Sequence, residues 1–258
     1  MAINKDLRVK ILKMIYNSKE GHLPSAFSII DIINNIYSYH LRNIKKKKIT
    51  KRDIFILSKG HGAAALYAVL NKFNFISKTI INNYAKKDSI LGGHPDSTKI
   101  EGVDFSTGSL GHGFPAAVGL AAALKILNSN YKVYCLIGDG ECNEGTIWES
   151  ALIASNLKLD NLCCIIDNNK SSQEILPLPN LQKQFQSFGW HSINCDGHIN
   201  KSLNKSINIF KKNKIKPTVI VAKTTKGKGV SFIENNPIWH HKIPTSEEFN
   251  LCLKELNK

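Results

Sequence analysis

The 258-residue sequence has no apolar run approaching the roughly 20 residues that a membrane-spanning helix needs. Its longest mildly apolar stretch, residues 116–124, is alanine-rich and too short. The N-terminal segment MAINKDLRVKILKMI mixes charge with helical periodicity and lacks an uninterrupted apolar centre, which argues against a secretory signal. A cytoplasmic location is expected, with a eukaryotic organelle also compatible. None of the six cysteines (135, 142, 163, 164, 195 and 252) forms a C-x-x-C pair, so neither a disulfide framework nor a zinc site is expected. No G-x-G-x-x-G follows a strand-like run with an acidic residue about 20 positions on, which disfavours a dinucleotide-dependent dehydrogenase. No repeat or linker divides the chain, and 42% hydrophobic content at this length suits one α/β domain over residues 1–258.

Acidic residues are in deficit: 20 Asp and Glu against 35 Lys and Arg leave a formal charge of +15. Such an excess can serve nucleic acid or an acidic membrane. Here the lysines are dispersed, the only dense block being Lys45 to Lys48, with no helix-turn-helix pattern and no interleaved aromatics. A composition rich in Asn, Ile and Lys explains much of the charge, so neither nucleic acid nor membrane is an expected partner. An acidic partner chain or anionic sugar phosphates would use the same charge.

What the chain does have is concentrated in residues 131–171. A short apolar run, Val133 to Ile137, breaks at Gly138-Asp139-Gly140. A helix-compatible stretch from Gly145 to Leu159 follows, then a second apolar run, Leu162 to Ile166, ending in Asp167-Asn168-Asn169. Short β-rich runs flanking a helical segment form a βαβ unit with both strands buried in a parallel sheet. Asp139 and Asn169 are then brought side by side at the edge where open α/β sheets bind ligands. Their oxygens, with a backbone carbonyl from the following turn, suit a hard cation: Mg²⁺, or Ca²⁺ or Mn²⁺ in its place. A lone Gly-Asp-Gly would be no more than a glycine turn; the spacing and flanking strands give it weight.

The flanks supply histidines on glycine-rich turns. A helix over 4–17 leads to Gly21-His22-Leu23-Pro24-Ser25, with Ser25 placed to cap a helix over 26–40. A strand over 53–57 runs into Ser58-Lys59-Gly60-His61-Gly62 and a helix over 63–70. A helix pair is expected over 73–90, followed by Gly92-Gly93-His94-Pro95. The glycine-rich loop 106–113 precedes a helix over 116–127. Further on come a loop and helix over 172–189, a strand over 190–195, Asp196-Gly197-His198, a helix over 199–210 and a strand over 217–222. The loop 223–230, Trp239-His240-His241-Lys242 and a polar helix over 246–258 close the chain. Any one histidine is by default an ordinary loop or core residue. Four on separate turns (22, 61, 94 and 240), with unperturbed pKa values near working pH, suit proton handling.

The central unit resembles the thiamine diphosphate signature: GDG, a helix, an apolar strand and a closing Asn. From about residue 5 to about 250 the chain resembles the N-terminal half of transketolases, the half that is a separate chain in two-part enzymes. The resemblance implies a doubly wound, mainly parallel α/β sheet with helices on both faces, the thiamine diphosphate-binding fold. It implies that Asp139, Asn169 and the carbonyl of Ser171 hold Mg²⁺ against the cofactor's diphosphate, and that Gly138, Asp139, Gly140, Glu141 and Asn169 bind the cofactor. His61, in a segment like the family's LS-x-GH, would contact cofactor and substrate. His94, in a GHP segment, would face the transferred sugar. His22 and His240 correspond to the histidines of the family's SGH-P and WHGK segments and would reach the active site. Gly108, Ser109 and Leu110, in TGSLG, would lie beside the aminopyrimidine ring. His112 stands where the family has Gln, and His241 where it has Gly. Glu144 and Glu149 match acidic residues at a subunit contact.

The implied reaction is transfer of a two-carbon ketol unit from a ketose phosphate to an aldose phosphate, as in the pentose phosphate pathway. The family's catalytic glutamate lies on a second, pyrimidine-binding domain. A separate C-terminal subunit carrying it is therefore expected, in an α2β2 heterotetramer, with this chain inactive alone. Alternatives are a subunit of another thiamine enzyme (deoxyxylulose-phosphate synthase-like, apulose-phosphate transketolase-like or sulfo-sugar lyase-like) and a non-catalytic scaffold subunit.

Overall fold

The computed structural model describes residues 4–172 and 176–257; residues 173–175 of the expected 172–189 loop and Lys258 of the expected C-terminal helix lie outside them. Five strands form one sheet: β1 (Ile54–Leu57), β2 (Val133–Gly138), β3 (Leu162–Asn168), β4 (His191–Asp196) and β5 (Thr218–Lys223). Every pairing is parallel, in the order β1-β2-β3-β5-β4. The apolar runs are continuous rather than alternating because both faces are covered, as buried parallel strands require.

One face of the sheet, carrying Phe55, Leu57, Leu136 and Ile165, packs on α1 (Lys5–Ser18), α2 (Leu23–Tyr39), α3 (Ala63–Lys72), α8 (Asn200–Lys212) and α9 (Ser246–Leu256). The other face, carrying Ile56, Cys135, Ile137 and Ile166, packs on α5 (Gly113–Ile126), α6 (Gly145–Asn156) and α7 (Leu181–Ser187). The fold is therefore the doubly wound α/β sheet that the sequence implies. Trp190 is buried just before the edge strand β4 and donates its indole N–H to the Ala151 carbonyl at 2.8 Å, so α6 is tied to that edge. All six cysteines are free and buried. Among the described residues no helix is long and apolar enough to cross a membrane.

Three local expectations are corrected. Ser25 does not cap α2: the helix starts three residues earlier than expected, at Leu23, with His22 at the cap position and Ser25 buried in its first turn. Pro24 favours this start, since its missing N–H falls where no intrahelical partner exists. The expected helix pair over 73–90 is a single short helix, α4 (Lys78–Asn82), capped by the Ser77 side chain. Asn74, Ala85 and Asp88 take left-handed conformations (φ 59, 50 and 63°) and break the helical path on both sides. Ile76, Ile81 and Tyr84 are buried there by neighbouring helices, without helical spacing of their own. Finally, α5 starts at Gly113 rather than at 116. A Cβ at Gly113 would lie 2.6 Å from Ser58 Cα, so glycine is what lets this helix sit directly on the turn after β1.

Candidate functional site

Parallel strands bring all five C-terminal ends to one edge, and the polar turns collect there. At their centre is Asp167, near the end of β3 and fully buried. Its carboxylate accepts hydrogen bonds from Lys59 Nζ after β1, Ser28 Oγ in α2 (2.6 Å), Thr224 Oγ1 after β5 and Asn169 Nδ2 (3.0 Å). Burial alone would raise the Asp167 pKa, but the Lys59 ammonium and these donors hold it below the usual carboxylate range.

This arrangement orients Asn169. Its Nδ2 is engaged by Asp167 and Ser28, which turns Oδ1 the other way, where it accepts the Ser171 N–H at 3.0 Å in an Asx turn. Lys170, at the corner of that turn, is left-handed (φ 63°) and donates its N–H to Asp139 Oδ2 at 2.6 Å. Asp139 Oδ1 accepts the Gly140 N–H at 2.8 Å. Pairing of Gly138 with Asp167 across β2 and β3 places the two turns next to each other. Burial, and then the Asp167 carboxylate beside it, push the Asp139 pKa up; a cation at this position would offset both. Among the described residues no three His, Cys, Asp or Glu side chains form a metal-binding group. The side-chain oxygens brought together by these two turns are the Asp139 carboxylate and Asn169 Oδ1, hard donors of the kind that suit Mg²⁺ rather than a soft metal.

Glu141 is placed differently. Its carboxylate is buried and accepts from Ser58 Oγ, the Gly111 N–H (2.9 Å) and the Gly138 N–H (3.1 Å). Both oxygens are engaged in bracing three turns against one another. The Gly60 and Thr107 backbones also touch: a Cβ at Gly60 would meet the Thr107 carbonyl oxygen at 2.8 Å. Thr107 Oγ1 donates to the Leu57 carbonyl at 2.7 Å. Gly108 and Leu110 are half-buried and Ser109 is exposed on the rim.

A cavity of about 510 Å³ opens at this edge, lined in part by Asn169, Ser171, Thr224, Lys226 and His240. A larger groove of about 580 Å³ runs between α1 and α4, lined by other residues. The His22 ring lies 5.3 Å from His61, 5.7 Å from His240 and 4.5 Å from His241, centroid to centroid. His94 is held separately: Tyr67 Oη donates to its carbonyl at 2.8 Å, and its ring faces Gly108. Burial lowers the His22 pKa to about 4, helped by repulsion from His241, His240, His94 and Lys226. Burial, then Lys59 and the other cations, lowers that of His61 to about 2. His240 is lowered by burial and by Lys226, whose Nζ lies 2.9 Å from His240 Nδ1. Since ammonium only donates, Nδ1 accepts and the His240 ring proton sits on Nε2. The imidazoles of His22, His61 and His240 are therefore neutral near pH 7 and offer uncharged donors and acceptors.

Sequence reasoning gave no role to Lys59, Asp167 or Ser28, and took Thr224 and Lys226 only as part of the 223–230 loop, expected to close over the cofactor. Lys59 lies inside the Ser-Lys-Gly-His-Gly turn, and Asp167 ends an apolar strand, a costly place for an unpaired charge. Ser28 carries no such signal, since only the fold brings α2 to this edge.

Fold and loops together define a doubly wound α/β domain with its polar turns gathered at the C-terminal edge of the sheet. Residues 1–249 match the family described as transketolase, thiamine diphosphate binding domain, and the chain belongs to that family. It is 42% identical over 259 residues to one of the subunits of the apulose-4-phosphate transketolase of Actinobacillus succinogenes, spanning 98% of this chain and 94% of that protein. It is 39% identical over 243 residues to human transketolase, covering 92% of this chain and 38% of that protein. The crystal structure of Campylobacter jejuni transketolase superposes with a TM-score of 0.89 at 31% identity, over 97% of this chain and 41% of that one. The chain thus spans about two fifths of these longer transketolases.

Proposed function

We propose that this chain is the diphosphate-binding subunit of a two-part transketolase, working with a separate subunit that carries the pyrimidine-binding domain and the catalytic glutamate. The observation that carries the reading is the oxygen-donor edge of Asp139, Asn169 and Ser171 beside buried Lys59 and Lys226 and neutral histidines. Asp139, Asn169 and the Ser171 carbonyl would hold Mg²⁺, with Ca²⁺ or Mn²⁺ able to replace it. Lys59 and Lys226 would face the diphosphate charge. Gly108, Ser109 and Leu110 would border the aminopyrimidine. When bound, thiamine diphosphate supplies the nucleophilic carbon that takes up the two-carbon unit.

His22, His61, His94 and His240 would donate to and accept from the sugar's hydroxyls and carbonyl. As neutral imidazoles, His22, His61 and His240 would orient the sugar without attracting further anions, and their ring nitrogens could relay a proton. Substrates would be a ketose phosphate donor and an aldose phosphate acceptor. A second reading, a transketolase acting on apulose-4-phosphate outside the pentose phosphate pathway, draws support from the Actinobacillus succinogenes relative, which this chain matches over 94% of its length. Donor-sugar assays separate the two.

The partner surface would be the outer side of α5 and α6, where Ile126, Leu127, Leu152, Ile153 and Leu157 are exposed along with Glu144 and Glu149. An α2β2 assembly follows if two such faces pair. Six buried free thiols fit a reducing, cytoplasmic setting. Asp139→Ala is expected to abolish Mg²⁺-dependent thiamine diphosphate binding in the assembled protein, read by titration calorimetry; unchanged affinity would overturn the metal assignment.

A further inference from the structure

The loop that carries Lys226 into the site is held from behind by a buried polar relay. Asp31, in α2 and buried, accepts two hydrogen bonds from the Arg8 guanidinium (3.0 and 2.7 Å) and one from Asn4 Nδ2 (2.8 Å). It also lies 2.7 Å from His198 Nδ1, in the turn after β4. A carboxylate so held accepts, so the His198 proton sits on Nδ1, which leaves Nε2 as an acceptor. Nε2 receives the Thr225 N–H at 2.9 Å. Thr225 is the residue before Lys226, whose Nζ is directed at His240 in the cavity wall.

We propose that His198 is a positioning residue for Lys226. Asp31 fixes the imidazole tautomer, and the imidazole in turn fixes the backbone that aims the Lys226 ammonium into the cofactor cavity. Other contacts pin the same loop, among them the Gly227 N–H to the Pro24 carbonyl (2.9 Å), the Asn235 N–H to the Lys226 carbonyl (2.9 Å) and Arg8 Nε to the Lys228 carbonyl (2.8 Å). Of these contacts, His198 supplies the one made by a side chain to the residue preceding Lys226. The inference rests on the proposed cofactor-binding role of this site.

Two substitutions divide the imidazole's two contacts. An Asn amide nitrogen occupies the place of Nδ1 and can donate to Asp31, but it does not reach Thr225. A Gln side chain places its carbonyl where Nε2 was and can accept from Thr225 without serving Asp31. In the full chain, hydrogen exchange over residues 223–230 is expected to stay slow in His198→Gln and to quicken in His198→Asn. Thiamine diphosphate with Mg²⁺, titrated into the protein as isolated, should bind His198→Gln within about twofold of wild type. His198→Asn should bind it roughly 3- to 10-fold more weakly, the scale of one net hydrogen bond. In a Lys226→Met background His198→Asn should add little further loss, since its effect runs through Lys226. Wild-type exchange in His198→Asn, or equal losses in Asn and Gln, would overturn the proposal; so would additive losses in the double variant. If wild type itself does not bind the cofactor, the functional reading fails, and the exchange measurement still decides whether His198 holds the loop.

Discussion

At the residue scale the site is governed by how few charges it leaves uncompensated. Asp167 and Lys59 are both almost fully buried, so each is tolerable only with the other. Asp167→Asn leaves the Lys59 ammonium without its counter-charge and is expected to destabilise the chain by about 3–5 kcal/mol, read as a shift in urea midpoint. The histidines give a second prediction. The folded pKa values of His22 and His61 lie below their ordinary 6.5. Above pH 6.5 both folded and unfolded states are neutral and stability is unaffected. As pH falls from 6.5 towards 4, the unfolded chain takes up protons that the folded one refuses, so stability drops. The neighbouring charges (His241, His240, His94, Lys59 and Lys226) oppose protonation, and Glu20, 3.7 Å from His241, is the nearby acid. Urea midpoints at pH 7.5 and 5.0 should differ, and His22→Gln should lessen the difference. Wild-type pH dependence in that variant would show that His22 contributes nothing.

At the element scale, the strands and the central βαβ unit were readable from sequence because a parallel strand covered on both faces must be continuously apolar. The segment 73–90 was not, because its buried residues are positioned by other helices and its left-handed residues are Asn, Ala and Asp rather than glycine. The start of α2 was misplaced because Ser25 has the chemistry of a cap, and only Pro24 hints at the earlier start. His22 and His61, whose rings lie 5.3 Å apart, stood out in the sequence by the glycines in their turns, whereas His240 has no glycine beside it. The polar groups that orient Asn169 were not legible, since they arrive from four separated segments. The close seat of α5 on the β1 turn also gives a prediction: Gly113→Ala should force the two apart and cost about 1–3 kcal/mol in denaturant unfolding. An unchanged midpoint would mean that the turn yields freely.

At the scale of the whole molecule, the exposed apolar side chains of α5 and α6 stand out against a basic, polar exterior. Ile153→Glu should weaken association with partner chains, visible as lost assemblies in native mass spectrometry, while the isolated chain keeps its thermal midpoint. An intact assembly would place the interface elsewhere.

Asp167 joins residues 28, 59, 169 and 224, so one carboxylate ties together segments spanning most of the sequence. None of the earlier segments can complete this cluster until β5 has docked beside β3 and delivered Thr224. During synthesis the cradle is therefore a late feature: a chain arrested before residue 218 could pair β1, β2 and β3, but β4 would have no neighbour and the Asp167 cluster would lack Thr224. A finished Asp167 cluster would itself report that β5 has docked.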